Sequence, residues 1–455
     1  MNFKQLTGRP TFLNCMKAIT FLLGFAAICL TAVISPASDS SGKREELQLP
    51  RSMHTPMKDR ARVTVGLRDA NITGADNRAL QAAVDYVASL GGGVVEIGAG
   101  AYLMRDSLHL RSNVTVQGQG NATVLRKAKS ATSALKLDGD YGEEQFTVEN
   151  AEGFEVGDGV AIWDKNSGGG FHTTVARITG RSGNTFAISL PLNADCMVDN
   201  GAKAATVFPV ISGYHVEGAR VENLTIEGNK DENINLNGCR GGGIFLYRCP
   251  GAIIERCTVR NYHGDGISFQ QCNDVTVVAC TSERNKGLGL HPGSGSQRPV
   301  VRQCVARDNG EDGLFLCWRV KQGLFEENIL EANGRYGISI GHKDTDNLLR
   351  SNQVRGNREE GIFFRNESEG MAGHRNRIED NLIENNGATR DAAGIRVRGE
   401  TRDLIFKNNT IRDTRPAAER KQTVGIRLDE KVGFVTLEGN KIDAPKVLSD
   451  DRKAR

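Results

Sequence analysis

The pentapeptides GLFLC at residues 313–317, GISIG at 337–341 and GIFFR at 361–365 begin 24 residues apart. In each of them a glycine precedes an alternation of aliphatic side chains with other residues, and a period of two indicates a β-strand. The same glycine recurs along the chain: Gly243, Gly266, Gly289, Gly313, Gly337, Gly361, Gly394 and Gly425. A unit of 23 to 24 residues with short strands and no helical pattern predicts one coil of an all-β solenoid, a parallel β-helix.

Asparagine and cysteine keep the spacing of the glycines. One series occupies a single repeat position: Asn223, Cys257, Cys280, Cys304, Asn328, Asn352, Asn381, Asn409 and Asn440. A shorter series precedes its glycine by four residues: Asn285, Asn309, Asn333 and Asn357. Inward Asn side chains at one position of stacked coils predict an amide ladder at the ~4.8 Å strand spacing. We expect the cysteines of the series to be small buried thiols, and a disulfide between neighbouring coils is the alternative.

Two stretches depart from the repeat. DNRALQAAVDYVASLGGG, residues 76–93, predicts a helix that begins at Asp76 as its N-cap and ends at Gly91. Such a helix would cover the open end of the solenoid, since a terminal coil otherwise exposes its apolar core. Residues 145–192 break the period and predict a small antiparallel insertion.

The N-terminus has the pattern of an export signal. Basic residues precede an uncharged, largely apolar run at 18–34, which small residues follow up to Ala37. We expect the protein to be secreted or periplasmic, and an uncleaved N-terminal membrane anchor is the alternative. The expected segments are a signal peptide at 1–37, a polar linker at 38–60, the β-helix domain at 61–442 and a C-terminal tail at 443–455.

Net charge does not select a partner. The leader carries three positive charges and no negative ones, so its removal would bring the formal net charge of +3 to zero. Overall charge therefore argues neither for nor against an anionic partner. We expect no nucleic acid as a partner, no membrane contact beyond the leader, and a monomer.

The region after the linker resembles a known family. ADNRALQAAVDYVASLGGGVVEIGAGAYLM, followed by LHLRSNVTVQGQGN, is similar to the N-terminal cap and first coils of the pectate-lyase-like superfamily. The resemblance extends over residues 62–442 and implies a right-handed parallel β-helix. Most members of that superfamily are enzymes that act on polysaccharides, among them lyases, hydrolases and uronate C5-epimerases, and some are noncatalytic.

The strand after each repeat glycine predicts a binding face. Its first and third side chains point inward, and its second and fourth point outward. The outward and strand-end residues change along the solenoid from aromatic and neutral to strongly basic, which suits an extended anionic chain. The expected substrate-binding residues are Tyr247, Gln270, Trp318, Arg319, Glu367, Arg396 and Arg398.

The stretch GLGLHPGSGSQ at 287–297 places an outward histidine, His291, near the middle of this face. Removal of the C5 proton of a uronic acid needs a base, and a cation beside the carboxylate stabilises the resulting carbanion. We assign His291 as the base and His342 as its competitor or as a proton donor, with Lys343 and Arg365 at the carboxylate. In the C5-epimerases of the resembled family, the same strand reads Gly-hydrophobic-Asp-Pro-His, so His291 stands where that Asp does.

Other assignments stay open. A glycoside hydrolase would use two carboxylates from Asp312, Asp344, Asp346 and Glu367. A noncatalytic carbohydrate-binding or cell-surface solenoid is a third possibility. The sequence assigns no definite cofactor. Asp344 and Asp346 are candidate ligands of a calcium ion, and a polar turn is the alternative explanation of the same residues.

Overall fold

A computed structural model describes residues 58–166, 170–387 and 392–452, and within them the chain winds as a right-handed parallel β-helix. The predicted fold class is therefore confirmed. The predicted leader, nearly all of the linker and the last three residues lie outside the described residues. Among the described residues there is no helix long and apolar enough to cross a membrane.

The strands that follow the repeat glycines stack into one parallel sheet, the front sheet. Its 11 strands keep register, so Ile244 lies beside Ile267 and Ile267 beside Leu290. In chain order they are Leu108–His109, Ile211–Tyr214, Ile244–Tyr247, Ile267–Gln270, Leu290–Gly293, Leu314–Phe315, Ile338–Ile340, Ile362–Phe364, Ala392–Val397, Gln422–Leu428 and Lys446–Asp450. The last of these lies inside the predicted C-terminal tail, so the solenoid extends further than expected.

The other two sides of each regular coil belong to a 22-stranded parallel system. Its first row is Ile253–Glu255, Thr276–Val278, Val300–Arg302, Leu324–Glu326, Leu348–Arg350, Arg377–Glu379, Leu404–Lys407 and Val435–Glu438. Its second row is Thr258–Arg260, Thr281–Glu283, Val305–Arg307, Ile329–Glu331, Gln353–Arg355, Leu382–Glu384, Thr410–Arg412 and Lys441–Asp443. The N-terminal coils add Ala61–Gly66, Ile72–Thr73, Gly93–Ile97, Gly100–Met104, Val114–Lys127 and Arg220–Glu227. Inward side chains from all three sides form one continuous apolar core.

Both predicted asparagine ladders are present. Asn328 Nδ2 donates to Asn352 Oδ1 at 2.9 Å, and Asn352 Nδ2 donates to Asn381 Oδ1 at 2.9 Å. The second ladder runs through Asn285, Asn309, Asn333, Asn357, Asn386 and Gln422. The cysteines at 257, 280 and 304 are buried and unbridged, as expected. The ladders satisfy buried polar groups that a strand turn would otherwise leave without partners.

The helix Asn77–Ser89 closes the N-terminal end. Asp76 accepts from the backbone N–H groups of Arg78 and Ala79, which confirms it as the N-cap. The apolar face of the helix packs on the first coils and is buried: Leu80, Ala83, Val84 and Val87. Elsewhere the described chain has short 3-10 helices at Val198–Asn200, Lys230–Glu232, Glu369–Met371 and Ala417–Glu419.

The antiparallel insertion is larger than the sequence indicated. Its six strands are Thr132–Ala134, Gln145–Thr147, Gly159–Trp163, Thr174–Ser182, Thr185–Ile188 and Lys203–Ala205. The predicted range of 145–192 missed the first and last strands, which lie outside it at 132–134 and 203–205. The insertion has a core of its own, in which Phe146 stacks on Phe186 with ring centroids 5.3 Å apart.

Candidate active site

The outward side chains of the front sheet form two rows along the solenoid. The central row reads His109, Ser212, Phe245, Ser268, His291, Phe315, Ser339, Phe363, Arg396 and Arg427. The edge row reads Tyr214, Tyr247, Gln270, Gly293, Cys317, Gly341, Arg365 and Arg398. After each repeat glycine, the two rows consist of the second and fourth side chains, which the sequence predicted to point outward.

The sequence predicted an open face, but the middle of these rows is covered. His291 is 3% exposed, and Ser268 and Gln270 are fully buried. A segment at residues 234–242, which precedes the strand Ile244–Tyr247, lies against the front sheet here, with Gly238 beside Ser268 and His291. We call this segment the cover. Repeat spacing carries no information about it, because the cover does not belong to the stacked coils.

His291 and Asp265 form the central pair of the site. Nδ1 of His291 lies 2.7 Å from Oδ2 of Asp265, whose Oδ1 accepts from the backbone N–H of Leu288 at 3.0 Å. A carboxylate only accepts, so Nδ1 carries the hydrogen and Nε2 keeps its lone pair. Burial disfavours protonation, but the hydrogen bond and charge of Asp265, with smaller contributions from other acidic neighbours, raise the pKa of His291 above its ordinary value. The arrangement is that of a histidine base oriented by a carboxylate.

The cover contacts this pair directly. Ser268 Oγ donates to the carbonyl of Gly238 at 2.7 Å. A Cβ at residue 238 would overlap the Asp265 carboxylate and lie 2.9 Å from His291 Nδ1, so only glycine fits there. Arg240 ties the cover to the insertion by donating to the Phe171 carbonyl at 2.6 Å from Nη2.

A thiol of the cover also faces the histidine. Cys239 is half-buried, and it is hydrogen-bonded to Cys317 of the edge row. The contact with Cys317 and, more weakly, the charge of His291 lower the pKa of Cys239 to about 7, against the effect of burial. The cover therefore rests on the site through polar and sulfur contacts.

Arg365 reaches back along the face towards His291. Its guanidinium donates to Ser339 Oγ at 2.8 Å and lies over the ring of Phe315, 4.4 Å from the centroid. The side chain passes across Gly341, where a Cβ would come within 2.7 Å of Arg365 Nε. Phe315 in turn contacts the ring of His291 with centroids 5.5 Å apart. The predicted cation is thus brought to the aromatic neighbour of the predicted base.

A second cluster lies where the strands end. His342 Nε2 is 2.8 Å from Glu367 Oε1, and the His342 ring lies 5.0 Å from that of Trp318, which is 40% exposed. Arg319 lies over the indole at 5.9 Å. Burial and the Arg365 charge lower the pKa of His342 to about 4. The carboxylate of Glu367 acts on this histidine in the opposite direction, and the expected role of His342 as a competing base or proton donor stays a prediction.

The carboxylates weighed for a hydrolase have separate partners. Asp344 is fully buried and 3.0 Å from Arg365, and burial raises the pKa of Asp344 to about 7. Asp346 pairs with Arg375 at 2.7 Å, and that hydrogen bond lowers the pKa of Asp346. Burial raises the pKa of Asp312 to about 6. Within the described residues, no three His, Cys, Asp or Glu side chains are grouped so as to hold a metal ion.

The remaining predicted residues lie at the margins. Arg396 and Arg398 both reach Asp429, at 3.2 and 3.1 Å, so their charges are partly matched within the protein. Lys343 is exposed beside His342. Tyr247 lies at the other end of the face, under the Arg240 guanidinium of the cover at 5.6 Å. The structure brings together His291, Gln270 and the Phe315–Arg365 contact. It does not bring Arg396, Arg398, Lys343 or Tyr247 to His291.

Asp265 is the functional candidate that the sequence reading missed. It stands directly before its repeat glycine, as Asp312 stands before Gly313 and Glu360 before Gly361. Comparing this position from coil to coil would have shown an acidic edge beside the outward row. The position of the cover had no comparable signal.

Comparisons with known proteins agree with this architecture. A family model described as a right handed beta helix region matches residues 158–319 and 210–371. Mannuronan C5-epimerases AlgE2 and AlgE3 of Azotobacter vinelandii are 30% and 33% identical over 99 and 84 residues, or 22% and 18% of this chain. The matched segments span only 10% and 4% of those relatives.

Three solved structures share the fold at low sequence identity. The AlgE4 A-module of A. vinelandii has a TM-score of 0.51 at 13% identity and covers 86% of this chain and 100% of its own. Polygalacturonase from Erwinia carotovora gives 0.53 at 14%, with 88% and 97% covered. The Dettilon tailspike protein gives 0.54 at 13%, with 85% and 68% covered. With its glycine-marked coils and stacked parallel sheets, the chain has the right-handed parallel β-helix fold that these three structures share.

Proposed function

We propose that this chain is an exported enzyme that removes the C5 proton of a uronic-acid residue in an acidic polysaccharide, as a lyase or a C5-epimerase. The observation that carries the proposal is the 2.7 Å contact between His291 Nδ1 and Asp265 Oδ2. The names of the curated relatives, mannuronan C5-epimerases, support the same reaction class.

The base is Nε2 of His291. Because Nδ1 donates to Asp265, Nε2 holds a lone pair, and its neighbour is Nε2 of Gln270 at 3.5 Å. Asp265 also stabilises the imidazolium that forms when the proton is taken up. A lyase and an epimerase share this first step, and they differ only in what the carbanion does next.

Arg365 is the cation for the substrate carboxylate. It is 11% exposed, and in such a dry site a positive charge stabilises a developing enolate more strongly than it would in water. In the free protein Arg365 is paired with Asp344, and burial raises the pKa of Asp344 to about 7. Lys343 and Arg319, at the strand ends, bind the neighbouring uronates of the chain.

Access to His291 requires the cover to move. The exposed Trp318 indole, with Arg319 over it, offers an aromatic and cationic platform at the edge of the face where a sugar chain can first bind. Displacement of residues 234–242 then opens the path from that edge to Nε2. The Ser268–Gly238 and Arg240–Phe171 hydrogen bonds are the contacts that must break.

Solvent exchange at C5 tests this proposal. The protein is incubated in D2O with a panel of polyuronates and neutral glucans, and C5 deuterium is measured by NMR while soluble products are weighed by mass spectrometry. We expect deuterium uptake with a polyuronate, lowered about 100-fold or more in His291→Gln. His172→Gln, at an exposed histidine of the insertion, is the matched control and retains activity.

The products distinguish the alternatives. Fragments lighter by one water assign a lyase, and deuterium uptake without fragments assigns an epimerase. Fragments of hydrated mass would contradict proton abstraction and favour paired carboxylates. Binding of a polyuronate with neither deuterium uptake nor fragments would indicate a noncatalytic carbohydrate-binding solenoid. Equal affinity for a neutral glucan would contradict the proposal of an acidic substrate.

A further inference from the structure

A hydrogen-bonded serine, histidine and aspartate lie on the first two coils, away from His291. Ser212 Oγ is 3.0 Å from His109 Nδ1, and His109 Nε2 is 2.9 Å from Asp106 Oδ2. His109 and Ser212 are neighbours in the central row. Three strand steps separate Ser212 from His291, which corresponds to about 14 Å.

The contacts determine which atom donates in each hydrogen bond. Asp106 also accepts the Nε hydrogen of Arg177, at 2.5 Å. An ionised carboxylate accepts only, so His109 Nε2 carries the hydrogen and Nδ1 keeps the lone pair. Ser212 must then donate its hydroxyl hydrogen to Nδ1. This is the direction in which a histidine activates a serine for attack.

Long-range contacts hold these groups in place. The side-chain amide of Gln81, on the capping helix, brackets the backbone of His109 by accepting from its N–H at 2.8 Å and donating to its carbonyl at 3.1 Å. Arg177 comes from the strand Thr174–Ser182 of the insertion. Asp106 and Ser212 are 2% and 1% exposed, so neither has the freedom of a surface side chain.

A cavity opens onto the serine between the insertion and the front sheet. Its volume is about 290 Å³, and it is lined by Ser212, His109, Tyr214, Phe208, Leu190 and Arg177 among others. The apolar part of this lining fits a small acyl chain, and the arginine supplies positive charge for a carbonyl oxygen. The volume is suited to a group the size of an acetyl or similar short acyl ester.

We propose that Ser212, His109 and Asp106 form a second catalytic site, which hydrolyses short O-acyl esters such as those on the hydroxyl groups of a polysaccharide. Ser212 Oγ bonds to the acyl carbon and its proton passes to His109 Nδ1. The C–O bond to the sugar then breaks, and the leaving oxygen takes that proton. Water attacks the acyl-serine in the same way, which releases the carboxylic acid and returns the proton to Ser212.

Active-site labelling tests this proposal on the whole protein. The purified chain is treated with a biotin-linked fluorophosphonate, digested and analysed by mass spectrometry, and hydrolysis of p-nitrophenyl acetate is measured in parallel. We expect the label on Ser212 and a hydrolysis rate at least about 100-fold lower in both Ser212→Ala and His109→Gln. A label on another residue, or none, would overturn the proposal, and this result needs no variant to fold.

Two control variants separate this site from its surroundings. Ser189 lines the same cavity, and its Oγ accepts from the backbone of Arg177 rather than from a histidine, so Ser189→Ala keeps label and rate. His172→Gln, at the exposed histidine of the insertion, keeps both as well, because His172 does not line the cavity. An unchanged rate in Ser212→Ala, with an unchanged thermal midpoint, would show that the serine takes no part in the hydrolysis and would overturn the proposal.

Discussion

At His291 the position of one hydrogen decides what the side chain can do. Asp265 holds that hydrogen on Nδ1 and so leaves Nε2 as an acceptor beside Gln270. His109 shows the reverse case, because Asp106 holds the hydrogen on Nε2 and leaves Nδ1 for Ser212. Both histidines belong to the central row. For each histidine, the carboxylate partner selects which ring nitrogen is reactive, and that partner does not lie on the outward face of the strand.

The variant Asp265→Asn tests this selection. If the Asn carbonyl keeps the Leu288 hydrogen bond, its amide group faces Nδ1 and donates, which moves the imidazole hydrogen to Nε2. We expect C5 proton exchange to fall about 100-fold or more. Loss of the carboxylate charge also lowers the pKa of His291, so the residual activity, which needs the unprotonated base, begins to rise at a lower pH than in the wild type.

A rate–pH profile of the two proteins provides the measurement. Asp274→Asn is the control, since Asp274 is paired with Arg298 at the exposed surface and does not touch His291. A midpoint that stays in place in Asp265→Asn would contradict the assigned pair.

Among the elements, the asparagine ladders explain how turns can lie inside the solenoid. Each ladder amide bonds both to the next amide and to a backbone carbonyl, as Asn352 does to Asn381 and to the Phe325 carbonyl at 3.0 Å. Cys304 interrupts this ladder, and its backbone N–H still donates to Asn328 Oδ1 at 3.0 Å. A thiol is tolerated there because the next coil supplies the acceptor.

Removal of one ladder amide is expected to lower the free energy of unfolding substantially. Asn352→Ala leaves the backbone N–H and Nδ2 of Asn328, and the Phe325 carbonyl, buried without their partner. Each lost partner costs about 1–3 kcal/mol, so we expect the free energy of unfolding to drop by about 3 kcal/mol or more. Asn273→Ala, at an exposed amide that accepts a single bond from Gln297, is expected to cost less than about 1 kcal/mol. Urea unfolding followed by circular dichroism compares them, and equal midpoints would contradict a structural role for the ladder.

At the scale of the whole molecule, the stability of each coil depends on its packing against the neighbouring coils. Each coil is covered only by its neighbours, so the first coil depends on the helix Asn77–Ser89. Val84 of that helix is fully buried, whereas Tyr86 is 55% exposed.

The same substitution at these two positions tests the cap. Val84→Asp places a carboxylate in the apolar core and is expected to destabilise the protein by about 3 kcal/mol or more, while Tyr86→Asp changes stability by less than about 0.5 kcal/mol. Hydrogen exchange read by mass spectrometry should show protection lost first in the N-terminal coils of Val84→Asp. Uniform loss along the solenoid would contradict closure by the cap.

The sequence by itself determined the coils, the capping helix, both main ladders and the outward position of His291. These features follow from the two-residue alternation of a strand and from the coil repeat. In such a repeat, the environment of one residue predicts that of the residue one coil later. The tertiary structure alone decided which outward residues are buried, because the cover at 234–242 and the full insertion are outside the repeat. It also decided the pairing of Ser212 with His109, 103 residues apart, and the reach of Arg365 across Gly341. Such contacts arise from side-chain length and packing between elements, and no spacing along the chain encodes them.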